Sequence, residues 1–144
     1  MDRFTITAAL KSYATTKGWK ILMGDRYHQN AQASRETYSI GTIVIGIFPF
    51  TTVVPRAKAA FGEITYRSVI LLGRKFETLT HANLDETYAQ KYDNRLKDLI
   101  PLLANSVKEF ACSNELEYSG EIADEIDNFD TDIDFVGGLF TFYQ

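Results

Sequence analysis

The chain has 144 residues, 45% hydrophobic, 13% aromatic and 24% charged, a composition in the range of ordinary globular domains that makes disorder a poor reading and suits one domain, 1–144, around a single core. A lone cysteine, Cys112, excludes an internal disulfide framework, and neither a membrane span nor a secretory leader is expected, because no apolar run reaches about 18 residues. Net charge is −4, yet residues 1–108 hold all 15 Lys and Arg against 9 acids, while residues 109–144 hold 10 acids and no base.

Asp2 suits the N-cap of a helix over residues 3–16, where Phe4 and Ala8, and then Ile6, Leu10 and Tyr13, recur at helical spacings; Gly18 suits its end. Trp19 to Met23 reads as a short strand. Residues 24–37, with Gln29, Asn30, Gln32, Ser34 and Arg35, show no apolar periodicity and read as a long polar loop of the kind that compact domains reserve for binding. Tyr38 to Phe48 reads as a strand with Thr42, Val44, Gly46 and Phe48 on one face and Ile43, Ile45 and Ile47 on the other. Being apolar on both faces, it must be covered on both, by helices, a second sheet or another subunit. Pro49 closes it, and residues 50–60 form a second loop carrying Arg56 and Lys58.

Phe61 to Glu77 reads as extended. At about 3.3 Å per residue it would span roughly 55 Å, beyond the roughly 40 Å diameter of a compact domain of this size. Either Gly73 breaks or bulges the strand, or the hairpin from Gly41 to Phe76 projects as an arm. Thr80 or Asn83 caps the main helix, in which Leu84, Tyr88, Tyr92, Leu96 and Ile100 repeat every four residues. Pro101 predicts a kink or break, with continuation through Leu103, Val107 and Phe110 to about Cys112, whose thiol is expected to be buried. Strands Glu115 to Ile126 and Ile133 to Tyr143 finish the chain, joined by a turn at residues 128–131. This order predicts an α+β fold: a mainly antiparallel β-sheet with an N-terminal helix and a longer, Pro-kinked helix packed against it.

Catalytic signals do not emerge. Asp130-x-Asp132-x-Asp134 matches the opening of a calcium loop, but Phe135 stands where glycine is needed and Thr141 where the closing glutamate belongs, so a strand's solvated face or a partner-facing acidic ridge is the better reading. His28 and His81 are far apart in sequence and read as loop residues, and Gly137-Gly138 reads as a bulge or a close backbone approach. With no nucleophile elbow and no phosphate-binding glycine loop, no enzyme activity, cofactor or metal is expected. Arg56, Lys58, Arg67, Arg74 and Lys75 lie near one hairpin with Tyr66 and Phe76, but alternation splits them between two faces, so nucleic acid is not an expected partner. Opposite-sign regions instead permit head-to-tail self-association. The candidate partner-binding residues are Arg56, Lys58, Arg74 and Lys75 on the basic side and Asp130, Asp132 and Asp134 on the acidic side.

The layout as a whole resembles the tail terminator and head–tail completion proteins of tailed bacteriophages. The likeness is carried by the N-terminal helix, the strand pair 38–48 and 61–77 joined by a basic loop, the helix from Leu84 to Phe110, and a closing pair containing residues 126–136, Ile-Asp-Asn-Phe-Asp-Thr-Asp-Ile-Asp-Phe-Val. No binding residue carries over. The resemblance implies a non-enzymatic structural protein of a phage or prophage that assembles in the bacterial host cytoplasm and resides in the virion. It would form a homo-oligomeric ring, a hexamer being one order that suits it, at the tail end or head–tail junction, against a tail-tube or head-completion protein. The alternative is a small soluble binding module that uses loops 24–37 and 50–60.

Overall fold

The computed structural model describes residues 1–54, 64–75, 88–123 and 133–144. Helix α1 (Arg3–Thr16) starts where expected, because an Asp2 carboxylate oxygen accepts from the N–H groups of Phe4 and Thr5 at 2.9 and 2.7 Å. Two otherwise unpaired helix donors are thereby satisfied. Gly18, at φ +75°, ends the helix in a left-handed conformation that favours glycine. Ile6, Leu10 and Ala14 form the buried stripe, while Phe4 is exposed.

Strand β1 (Lys20–Met23) follows, and then the largest departure from the sequence reading: residues 26–35 are not a loop but helix α2 (Arg26–Arg35). Asp25 is its N-cap, accepting from the His28 N–H at 2.9 Å. Only Gln29 and Ala33, one turn apart, are buried, so apolar periodicity is missing although the helical spacing is present. The helix has a topological role. Strand β2 (Ile43–Ile47) pairs with β1 in parallel, and parallel neighbours need a crossover connection, which α2 supplies.

Strands β3 (Thr51–Val53), β4 (Thr65–Lys75), β5 (Glu117–Ala123) and β6 (Ile133–Tyr143) complete a sheet in the order β1-β2-β4-β6-β5, with β3 beside β4. All pairings except β1 with β2 are antiparallel. The fold is therefore α+β with a mainly antiparallel sheet. Ser68 bridges the gap between β2 and β3, donating its hydroxyl to the Phe48 carbonyl at 2.7 Å beside Pro49. Strand β4 is unbroken at Gly73 and runs 11 residues, so neither a break nor a bulge shortens it. Whether the hairpin beyond Val54 and Ile64 projects lies outside the described residues, as do the helix caps at Thr80 and Asn83 and the turn at 128–131.

Helix α3 (Tyr88–Lys91) passes into a π turn (Tyr92–Leu96), in which the Lys97 N–H donates to the Tyr92 carbonyl at 2.9 Å. Helix α4 (Leu99–Ser113) then begins. The interruption expected at Pro101 falls at residues 97–98, and Pro101 sits in the first turn of α4. There its missing N–H removes no helix bond, and its ring clashes with no carbonyl of a preceding helical turn.

The two sheet faces are covered unequally. On the inner face, α1 and α4 bury Ile45, Ile47, Ile70, Leu72, Val136, Phe140 and Phe142. Phe110 stands edge-on to Phe142 (ring centroids 5.6 Å, 90°) and to Tyr13 (6.0 Å, 67°), arrangements that add about 0.5–1.5 kcal/mol each beyond area burial. On the outer face, Ala33 of α2 belongs to a second cluster with Leu22, Val44, Leu71, Ile133 and Phe135. The cover that β2 demands on both sides thus comes from this chain's own helices, and β6 is tied into its own sheet between β4 and β5.

Candidate interaction surface

Of the sequence-derived site residues, Arg56, Lys58, Asp130 and Asp132 lie outside the described residues. Register brings two others together: Arg74 of β4 is directly opposite Asp134 of β6 on the inner face. Neither is a free partner-facing group. Arg74 is paired with Asp98, the residue just before α4. Asp134, expected on a solvated acidic face, is 2% exposed. Its Oδ2 accepts from Arg95 Nη1 at 3.2 Å, and Arg95 comes from the π turn. The inversion follows from alternation: Asp134 shares its face with Val136, Phe140 and Phe142, so it points into the core layer, where a carboxylate is tolerated only with a cationic or hydrogen-bonding partner. At this end of the sheet the ion pairs Arg74–Asp98 and Arg95–Asp134 form a clamp holding the π turn and the start of α4. Lys75 points to the outer face, opposite Ile133.

Cys112 is exposed at the end of α4, not buried. Phe110 and Ala111 take the buried stripe, and the next residue rotates about 100° away from it. His28 lies on α2 rather than in a loop, its Nδ1 2.7 Å from Asp25 Oδ1. Gly137 and Gly138 cause no bulge, since the pairing on both sides is continuous. They allow a close approach instead: a Cβ at Gly137 would run into Leu71, and one at Gly138 into the Glu121 carbonyl. Among the described residues no cluster of three or more His, Cys, Asp or Glu could hold a metal ion, and no helix is long and apolar enough to cross a membrane.

What remains outward is a contrast between the sheet's two edges. At β1 the Gln32 carboxamide acts as the missing next strand: its Nε2 donates to the Met23 carbonyl at 2.7 Å and its Oε1 accepts from the Met23 N–H at 3.1 Å. Lys20, Gln32, Arg35, Glu36 and Tyr38 line a groove of about 370 Å³ beside this stopped edge. Burial pushes the Tyr38 hydroxyl pKa up, and the Glu36 carboxylate adds to the effect.

At the opposite edge, no helix or side chain among the described residues is laid over β5. Its face beside Leu139 and Thr141 carries Glu117, Ser119, Glu121 and Ala123, all exposed, while Tyr118 and Ile122 are half-buried on the inner face. The ladder also fixes where its backbone points. Lys75 both donates to Thr42 and accepts from Gly41, at 2.9 and 2.8 Å, so odd residues of β4 face β2 and even ones face β6. Carried through the one-to-one registers, this directs the peptide groups of Glu117, Ser119, Glu121 and Ala123 at β6 and those of Tyr118, Gly120 and Ile122 outward. Beside this edge runs an outer-face groove of about 420 Å³, floored by Val69, Leu71, Gly137 and Leu139 and bordered by Glu121. Leu139 is 50% exposed there. Sequence reasoning identified the alternating acids of β5 but not that they sit on an edge, because strand order is a tertiary property.

No family model matches the chain, and no curated protein matches it.

Proposed function

We propose that the protein is a non-enzymatic structural subunit of a phage or prophage, acting as an oligomeric ring at the tail end or head–tail junction. The observation that carries the reading is the acidic edge strand β5, which pairs on one side only among the described residues, beside the half-exposed Leu139, in a chain whose bases all lie in its first three quarters. Such a surface suits heterologous contact between identical copies, and heterologous contacts close into rings when the rotation allows. The layout likeness to tail terminator and head–tail completion proteins supplies the phage setting, the virion location and the expected neighbour, a tail-tube or head-completion protein. The alternative of a small binding module has its own support in the polar groove between β1 and the end of α2.

Sedimentation velocity across a hundredfold concentration range, with negative-stain imaging of the heaviest fraction, tests the proposal. Rings are expected, alone or on addition of the neighbouring tail protein. A monomer at every concentration, with and without that neighbour, would refute it.

A further inference from the structure

We infer that helix α2 is a detachable latch on the β1 edge: it opens as a unit while the sheet and the inner-face helices stay folded, and the open form bares the Met23 peptide groups and the outer face at Leu22 and Val44. The inference is independent of the assembly reading above.

Few groups hold this helix, and nearly all of them are polar. Isolated helices shorter than about 12–15 residues are marginal in water and depend on an apolar face packed against the fold. Helix α2 has 10 residues and buries two, Gln29 and Ala33, whereas α4 buries Leu99, Leu103, Val107 and Phe110 among others. Ala33 alone takes a fully buried apolar side chain from α2 into the outer cluster, while Tyr27 is 79% exposed. The remaining attachments are hydrogen bonds: Gln29 Nε2 donates to the Gly24 carbonyl at 2.9 Å, and the Gln32 carboxamide pairs with Met23. Each is exchanged for a bond to water on opening, so its net hold is small.

One atom opposes closure outright. Gln29 Oε1 is buried with no hydrogen-bond partner among the described residues, pressed against Gly46, where a Cβ would collide with it. A buried acceptor left unpaired has given up its hydration for nothing, and release of α2 returns it to water. The connections also suit a hinge. Gly24 stands at φ +106° immediately before the Asp25 cap, and Glu36 returns the chain to extended backbone just after the helix. No strand has to part when the helix leaves. Strand β1 keeps its parallel register with β2, the Gly24 N–H keeps its bond to the Ile47 carbonyl at 3.2 Å, and Ile21 stays against the inner cluster.

Native-state amide hydrogen exchange of the full chain tests the latch, because amides that open together share one level of protection. The amides of Asn30 to Arg35, and that of Met23, whose acceptor is Gln32 Oε1, should share a level at least about hundredfold below that of Leu72 and Val136 in the paired centre of the sheet. In urea too dilute to unfold the chain, their exchange should stay nearly constant, since a small opening exposes little surface. Val107→Ala, a change in the inner core at a residue 3% exposed, separates local from global opening. It should speed Leu72 and Val136 by about tenfold or more and leave α2 and Met23 as they were. Equal protection of α2 and the sheet, or equal acceleration of both by Val107→Ala, would overturn the inference. Fast exchange in α2 with Met23 as slow as the sheet would overturn it too, since the edge would then be closed by something other than Gln32. Should Val107→Ala fail to fold, the urea dependence decides: a near-zero slope for α2 and Met23 supports the latch, and one equal to that of Leu72 overturns it.

Discussion

Removing the Asp134 carboxylate should destabilise the fold far more than removing the equally well-formed pair beside it. Asp134 and Arg95 are 3.2 Å apart, with side chains 2% and 14% exposed. At an effective dielectric of about 20, unit charges at that separation attract by about 5 kcal/mol. Desolvating both ions offsets most of this, so the net worth of the intact pair is small. Deleting one partner leaves the other's charge in the core layer and costs about 3–5 kcal/mol. Asp134→Ala is therefore expected to lose about 3 kcal/mol or more, and a doubly apolar Asp134→Leu/Arg95→Met chain much less than the sum of the single changes. Arg74→Ala is the control. Its partner Asp98 is 59% exposed, and pairs that wet contribute at most about 1 kcal/mol. Trp19, the single tryptophan, stands edge-on to Tyr13 against the core, so its fluorescence reports urea unfolding. With a slope of about 2 kcal/mol/M, Asp134→Ala should lower the midpoint by about 1.5 M. A shift below about 0.5 M, or single-mutant costs that simply add, would refute the clamp.

Gly73→Ala should cost about 1–3 kcal/mol by overpacking, because its Cβ would sit 2.6 Å from Phe135 Cδ1 and 2.8 Å from the Asp134 carbonyl; the same urea titration measures it. Gln32→Ala strips both partners from Met23 and should lose about 1–3 kcal/mol, with new concentration-dependent association through the unstopped β1 edge visible by light scattering. Hydrogen bonds from Thr5 and His28 N–H groups hold the Asp2 and Asp25 carboxyls below the ordinary value of 3.8. Depressed folded-state pKa values stabilise above the unfolded value and lose that contribution as pH falls through the folded one. Fraying of α1 and α2 on acidification below about pH 4 is thus expected, and helical circular dichroism of Asp2→Asn and Asp25→Asn chains should no longer show this step.

The first helix, β1, both long strands and α4 were legible because local signals agree there: a capping aspartate, a left-handed glycine and strict alternation. Residues 26–35 were not, since a helix that buries only Gln29 and Ala33 presents no apolar stripe to find. With α2 unseen, the parallel β1–β2 pair was unseen too, and β2 was left seeking cover that the chain itself provides. The acid run misled for a related reason. Period two marks one strand face but does not say which, and Asp134 belongs to the core side. Arg95, its partner, carried no sequence signal, because the π turn moves it out of helical register.

Strand order follows from the same arithmetic of faces and turns the charge asymmetry of the sequence into one of shape. Strand β6 is buried on both faces along most of its length, whereas β5 is exposed except at Tyr118 and Ile122, which are half-buried. A strand apolar on both sides needs neighbours as well as cover, and one wet on a face does not, so β6 takes the interior position although β5 precedes it in the chain. That insertion pushes Glu117 and Glu121 to the rim, while Lys20 lies at the opposite rim on β1. Had β5 and β6 exchanged places, the acids would have faced a hydrogen-bonded neighbour on both sides and the open edge would have been greasy. The observed order keeps the greasy strand inside and places the acidic one at the edge, where its carboxylates discourage pairing with another β5.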